Sequence, residues 1–180
     1  EAIQAAQHGS ALRDGVDDVP SDLYQRPQVS TAGAGPAELA HAYRAALADS
    51  HGDGVVAVHL STALSSTLGA AQHAAAEFGG AVAVVDSRSA GMGTGFVALA
   101  AARAAGAGAG LDDVVAQAES AASRVSAFIV VQRLDNLRRS GRIGAAASWL
   151  GTALSVKPLL RVADGKLVLV GSTDDSTQSD

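Results

Sequence analysis

The sequence predicts an α/β fold, in which a parallel sheet is covered by helices on both faces and is followed by the start of a smaller second lobe with a hairpin. Three short apolar runs, at 54–60, 81–85 and 127–131, alternate with helical segments along the chain. Such runs are typical of parallel strands that helices bury on both sides. Further on, Asp164-Gly165 stands between two apolar runs and predicts a β-hairpin.

The first elements are predicted from turn and cap residues. We expect a short helix at 2–8, an extended segment that ends near Thr31, and a loop at 32–35, where two glycines disfavour regular structure. Pro36 suits the first turn of a helix that ends near Ala48.

The middle of the chain alternates regularly between strands and helices. The hydroxyl-rich loop 61–67 leads into a helix that Gly79-Gly80 ends. The three strands near Val55, Val82 and Phe128 are expected to be adjacent in one parallel sheet, with the hairpin outside it. The helices of this region are predicted at 67–78, 91–105 and 111–124.

The pattern changes beyond Leu134. Short helices are predicted at 134–139 and 145–153, and the hairpin strands at 156–160 and 166–170. We therefore divide the chain into an α/β domain at 1–132 and a segment of linker helices and partial second lobe at 133–180.

Composition excludes several classes of function. Hydrophobic residues make up 48% of the 180 residues and aromatic residues 3%, so the core is aliphatic and base stacking is disfavoured. The net charge of −5 argues against a nucleic-acid partner. Cysteine is absent and the histidines lack metal-ligand spacing, so neither a metal nor a cofactor is predicted.

No targeting or membrane segment is evident in the sequence. No apolar run reaches the length of roughly 18 residues that a membrane-spanning helix needs. No signal peptide is visible, and the expected location is the cytoplasm.

The loop 61–67 is the most informative segment for function. It places five hydroxyl side chains in seven residues between a strand and a helix. Ligands of open parallel sheets bind beyond the carboxyl ends of the strands, and a helix N-terminus there offers free N–H groups. Helix capping explains one or two hydroxyls but not five. The loop therefore predicts a site for a small anion, with Ser61, Thr62 and Ser65 as candidate ligands.

Thr31 is a second candidate from another strand end. It precedes a glycine-containing loop and could reach the same sheet edge as Ser61. A turn-forming role for Thr31 is the competing interpretation.

Catalysis by the chain alone is disfavoured. A serine hydrolase would have to combine Ser61 with His59 or His73 and Asp86, but no serine lies in a Gly-x-Ser-x-Gly frame. The segment GMGTG at 91–95 matches neither GxGxxG nor the P-loop, and its small residues indicate close helix packing.

Four arginines form the local basic cluster of the chain. Arg133, Arg138 and Arg139 fit a solvated face. Arg142 stands between Gly141 and Ile143 in a predicted turn, where its planar fork could bind a carboxylate or phosphate. The alternative is a surface arginine that tethers the turn.

The order of these segments resembles the DegV family of fatty-acid-binding proteins. The resemblance covers most of the chain, from Asp14 to Lys166. Its segments are DGVD at 14–17, VSTAGAGP at 29–36, STALSST at 61–67, VVDS at 84–87, GMG at 91–93, LDNLRRSGRI at 134–143, SVKPL at 155–159 and DGK at 164–166.

This resemblance implies a two-lobed carrier and not an enzyme. A long-chain fatty acid would lie between the lobes, with its carboxylate held by Thr31, Ser61, Thr62 and Ser65 and with Arg142 as a cationic partner. The resemblance also implies a separate ATP-dependent fatty acid kinase as the protein partner. The alternative is a regulatory or structural α/β domain that binds a phosphorylated or other small anionic metabolite at the same helix end.

Overall fold

The computed structural model of the chain describes residues 4–7, 10–13, 18, 31–131, 134, 137–138, 140–143 and 156–174. The strands are β1 Gln4–Gln7, β2 Ser10–Arg13, β3 Thr31–Ala32, β4 Val55–His59, β5 Val82–Asp86, β6 Ala127–Val130, β7 Val156–Ala163 and β8 Lys166–Asp174. The helices are α1 Pro36–Asp49, α2 Thr67–Ala75, continued by a 3-10 turn at Ala76–Phe78, α3 Met92–Gly106 and α4 Leu111–Arg124.

Strands β4 and β5 form the parallel pair at the centre of the α/β part. They pair in register from Val55 with Val82 to His59 with Asp86. Side chains alternate between two apolar clusters, because successive residues of a strand point to opposite faces. Val55 and Ala57 pack with α1 and α2, whereas Val56 and Val58 pack with α3 and α4. Helices thus cover both faces of the parallel pair, as the sequence predicts.

Local signals fix the ends of the helices. Pro36 occupies the first turn of α1, and the Glu38 carboxylate accepts a hydrogen bond (2.9 Å) from the N–H of Gly35, the residue before the helix. Gly79 ends the turn after α2 with φ 57°, in the left-handed region. Asp112 and Asp113 lie in the first turn of α4, where acidic side chains favour the helix dipole.

The hairpin forms where Asp164-Gly165 predicts it. Ala163 pairs with Lys166, and the two residues between them have φ values of 48° and 76°, as a type I′ turn requires. Leu160 is fully buried beside Leu134 and Ile143, in a third apolar cluster on one face of this hairpin.

The prediction that the strand near Phe128 lies in the parallel sheet is wrong. In the described residues β6 does not extend the parallel pair; it runs antiparallel to β7, and the sheet order is β6-β7-β8. The burial of β6 alternates, and Phe128 and Val130 are more than half exposed. An unbroken apolar run does not reveal whether one or both faces of a strand are covered, so the sequence pattern misassigned its partner.

The predicted helix at 2–8 is also wrong. Residues 4–7 form β1, which pairs antiparallel with β2 on one side and β3 on the other. Ala and Gln are good helix formers, but intrinsic propensity contributes little free energy over so few residues, and pairing with two strands outweighs it. The predicted helix at 145–153 lies outside the described residues, as does part of the one at 134–139. The boundary between 132 and 133 remains a prediction.

Candidate functional site

The site is built around Ser61, two residues beyond the end of β4. Its backbone N–H donates to the Ser89 carbonyl (2.8 Å), which ties the loop to the segment after β5. Its carbonyl accepts hydrogen bonds from the N–H groups of Leu64 and Ser65. The hydroxyl oxygen accepts one from the Ala63 N–H (3.1 Å), and the residue is 1% exposed. Ser61 is thus held rigidly at the carboxyl edge of the parallel strands.

The other predicted hydroxyl ligands differ in their surroundings. Ser65 Oγ lies 2.9 Å from Thr67 Oγ1 and accepts a hydrogen bond from the N–H of Thr67, the first residue of α2. Thr62 is exposed, and its N–H donates to Asp86 Oδ2 (3.4 Å). The Thr62 hydroxyl has no hydrogen-bond partner among the described residues. Among the three predicted ligands of the loop, Thr62 is therefore the one that a ligand reaches most directly.

A second group of hydroxyls lies beneath the loop, after β5. Ser87 is fully buried, and its Oγ lies 2.8 Å from Thr94 Oγ1 at the start of α3. Ser89 is 3% exposed, and its Oγ has no hydrogen-bond partner within the part of the chain that is described. The Ser89 N–H donates to Ser87 Oγ (3.2 Å). The buried side chain of Ser87 thus connects the segment after β5 with the first turn of α3 through a hydrogen bond to Thr94.

Gly93 allows α3 to approach this group. A Cβ atom at Gly93 would overlap Ser89 Oγ and would lie 3.1 Å from the Ala127 Cβ. Side chains cannot share that space, so only glycine lets α3 lie against both the serine segment and the start of β6. The GMGTG segment therefore serves close packing, which confirms its structural interpretation.

Arg142 contacts the hydroxyl-rich loop directly. Its Nε donates to the Leu64 carbonyl and its Nη1 to the Ser140 carbonyl, each at 3.0 Å. The residue is exposed. It tethers its own turn to the loop and stands beside the predicted anion site, so the two interpretations of Arg142 are compatible. Arg133 and Arg139 lie outside the described residues, and Arg138 is exposed.

Thr31 begins β3, which hydrogen-bonds to β1 through the pair of Ala5 and Thr31. The position of its side chain lies outside what the structure describes, and its convergence with Ser61 remains a prediction.

The hairpin turn packs on the site from the second lobe. Gly165 is buried, and a Cβ atom there would overlap Ser61 Oγ and lie 3.8 Å from the Ala63 Cβ. Next to it, Asp164 Oδ1 lies 3.5 Å from Arg88 Nη2. The sequence identified Asp164-Gly165 as a turn but gave no sign of this contact, because residues distant in the sequence make it.

The histidine proposed for a hydrolase triad serves another contact. His59 Nε2 lies 3.2 Å from the Tyr43 hydroxyl on α1, on the sheet face that Val55 and Ala57 share. Burial raises the pKa of Tyr43 above its ordinary value of 10.0. His73 is exposed near the far end of α2, away from the loop that leads into that helix.

A cavity of about 480 Å³ lies elsewhere, between β4, α3 and α4. Its lining includes Val56, Ala101 and Val114, and none of Ser61, Thr62, Ser65 and Arg142 lines it. Among the described residues, no helix is both long and apolar enough to cross a membrane. The same part of the chain holds no group of three or more His, Asp or Glu side chains placed to bind a metal ion.

Comparison with known proteins places this architecture in a family. The family model described as an uncharacterised protein of the DegV family matches residues 3–179. The chain belongs to the DegV family. A DegV domain-containing protein of Mycobacterium tuberculosis strain H37Rv is 64% identical over 162 residues, which cover 90% of this chain and 58% of that protein. The chain thus spans little more than half the length of this relative.

Solved DegV structures share the fold. A DegV family protein from Thermus thermophilus, described as binding fatty acid, superposes with a TM-score of 0.82 at 33% identity. The match covers 96% of this chain and 63% of that one. The DegV family protein Cg2579 of Corynebacterium glutamicum gives a TM-score of 0.77 at 34% identity, over 96% of this chain and 59% of that one. The predicted family and fold class are confirmed.

Proposed function

We propose that the chain binds a long-chain fatty acid and carries it without chemical change, with the carboxylate at the loop 61–67. One observation carries the proposal: the hydroxyl-rich loop lies at the carboxyl edge of the parallel strands, and Arg142 contacts it. The chain that holds this loop is 33% identical to a DegV family protein of Thermus thermophilus that is described as binding fatty acid. Hydroxyls and a guanidinium donate hydrogen bonds to a carboxylate, which accepts several at once.

The head group would be held by side chains of the loop and by side chains of two other segments. We assign Ser61, Thr62 and Ser65 as donors from the loop itself and Thr31 as a donor from β3. Arg142 would supply the positive charge, because one guanidinium can hold its carbonyl partners and still present N–H groups to an anion.

The acyl chain requires apolar surface, which the hairpin sheet offers. Phe128 and Val130 on β6 and Val168 and Val170 on β8 are 43–59% exposed. Burial of each methylene contributes about 0.8 kcal/mol, so roughly 14 methylenes contribute on the order of 11 kcal/mol. Hydrogen bonds to the charged head contribute about 1.5–3 kcal/mol each. Chain burial would therefore set the affinity, and the hydroxyls would set the orientation.

The arrangement favours a carrier over a hydrolase. A serine nucleophile needs a base within hydrogen-bond reach. The Ser61 hydroxyl instead accepts from the Ala63 N–H, and His59 contacts the Tyr43 hydroxyl on α1. In line with the family resemblance, we propose that a separate fatty acid kinase acts on the carboxylate that this protein presents.

The test removes the two hydroxyls expected to meet at the head group. Thr31→Ala combined with Ser61→Ala should weaken the binding of stearic acid about a hundred-fold or more, because two hydrogen bonds to a charged group are lost. Isothermal titration measures the affinity, and thermal unfolding checks that stability changes little.

The matched control is Ser123→Ala, which removes an exposed hydroxyl on α4 that donates to the Ser120 carbonyl. It should bind stearic acid like the parent chain. Equal affinity of the double variant and the parent would rule out the assigned head-group site.

A further inference from the structure

The turn between β7 and β8 covers Ser61, one of the residues that the proposed function assigns as a donor to the carboxylate. Ser61 is 1% exposed, and the backbone of Gly165 lies against its hydroxyl. A carboxylate cannot reach Ser61 Oγ while the turn occupies this place. This inference rests on the proposed function, since it concerns how a ligand gains access to the same site.

One ion pair joins the turn to the α/β part at this point. Arg88 lies in the loop after β5, where its N–H donates to Asp86 Oδ1 (2.7 Å). Asp86 Oδ2 in turn accepts from the Thr62 N–H, so this loop is fixed to the hydroxyl-rich loop. The Arg88 guanidinium then reaches Asp164 Oδ1 at the tip of the hairpin (3.5 Å).

The geometry of this pair fits a contact that opens readily. It is a single contact of 3.5 Å, which is longer than an ordinary N–H···O hydrogen bond, and the two side chains are 58% and 93% exposed. Exposed ion pairs of this kind shift an equilibrium by up to about five-fold. The turn itself is held in shape by its own backbone, because an Asp-Gly type I′ turn does not depend on Arg88.

We propose that the turn Asp164–Gly165 is a movable cover of the Ser61 site, and that Arg88 is a positioning residue that holds the cover closed through Asp164. The ligand binds only the open arrangement. The rate at which the ligand enters is therefore proportional to the fraction of open molecules. Loss of the ion pair raises that fraction.

Charge alone predicts a different pattern, which makes the inference testable. If Arg88 and Asp164 acted only through their charge, Arg88→Gln would slow the association of an anionic ligand and Asp164→Asn would speed it. If they hold the cover, each substitution speeds the association of stearic acid by up to about five-fold and leaves its dissociation unchanged, because the pair is already open in the bound molecule. Asn keeps the turn intact, since Asn-Gly is a favoured type I′ pair.

Stopped-flow kinetics with stearic acid on the parent chain, the two single variants and the double variant tests this directly. The double variant should match either single variant, because all three remove the same pair. Opposite effects of the two single variants on association, effects that add in the double variant, or an unchanged association rate would each overturn the proposal.

A second measurement needs no fatty acid. The chain contains no cysteine, so Ser61→Cys introduces a unique thiol beneath the cover. A soluble disulfide reagent should modify this thiol slowly, and Arg88→Gln or Asp164→Asn in the same background should raise the rate by up to about five-fold.

The two measurements separate the cover from the proposed function. If the parent chain binds no stearic acid but both substitutions speed thiol modification, the cover stands and the proposed function fails. If the thiol is modified at the same rate in all backgrounds, the cover is wrong whatever the chain binds.

Discussion

At the scale of single residues, the sequence locates the candidate site but not the role of each hydroxyl in it. Five hydroxyls between a strand and a helix indicate a site because strand ends of a parallel pair meet at one edge. The structure shows that Ser65 accepts a hydrogen bond from the first residue of α2 and that Ser61 lies beneath the hairpin turn. Such assignments depend on contacts between distant residues, which local patterns do not contain.

Arg88 and Ser89 illustrate the same limit. The sequence marks the preceding Asp86-Ser87 as a strand end, yet gives no sign that Arg88 reaches Asp164 or that Ser89 Oγ is buried without a partner among the described residues. The sequence shows only a polar Ser-Arg-Ser run at the end of a strand. A solvated loop has the same composition, so this run does not indicate a buried contact.

Arg142 supports a prediction at this scale. Arg142→Lys keeps the positive charge but loses the planar fork, so it cannot hold its carbonyl partners and a carboxylate together. We expect about ten-fold weaker binding of stearic acid, measured by isothermal titration, and a similar loss in phosphorylation by the proposed fatty acid kinase.

Arg138→Lys is the control, because Arg138 is an exposed arginine of the same segment. It should match the parent in both assays. If Arg142→Lys also matches the parent, Arg142 only tethers its turn and has no part in the site.

At the scale of elements, the sequence predicts helices better than strand partners. The helix at 111–124 is found at the predicted residues, because acidic residues in its first turn and glycines before it mark its start. β6 is found at nearly the predicted residues but in another sheet. Short apolar runs identify a strand, whereas its partner depends on the whole fold.

The hairpin turn supports a prediction at this scale. Gly165→Ala should strengthen the apparent binding of stearic acid several-fold, because the added Cβ overlaps Ser61 Oγ while the turn is closed and so favours the open arrangement. It should also cost about 1 kcal/mol of stability, since φ at this position is 76°. Titration and chemical denaturation measure the two effects.

Gly80→Ala is the matched control. Its φ is 93°, and a Cβ there meets nothing within 4 Å, so it carries the same backbone strain without the contact. It should lose similar stability and keep its affinity. Equal affinities of the two variants would show that the contact of Gly165 with Ser61 does not matter for binding.

At the scale of the whole molecule, two structural parts meet at the proposed head-group site. The parallel pair with its four helices supplies the hydroxyl-rich loop, and the antiparallel sheet β6-β7-β8 supplies the turn above it and exposed apolar side chains on β6 and β8. The predicted class of the fold is confirmed, although β6 links the two parts instead of ending the first. A ligand with an anionic head and a long apolar tail matches this pairing of surfaces.

The most direct test of fatty-acid binding is to identify what the purified chain carries. Organic extraction followed by mass spectrometry should release a long-chain fatty acid in a ratio to protein close to one, and Thr31→Ala with Ser61→Ala should lower that ratio strongly. The aqueous phase of the same extraction, analysed by mass spectrometry, detects phosphorylated metabolites. Recovery of a phosphorylated metabolite in place of a fatty acid, or failure of the delipidated chain to take up stearic acid, would contradict the proposed function.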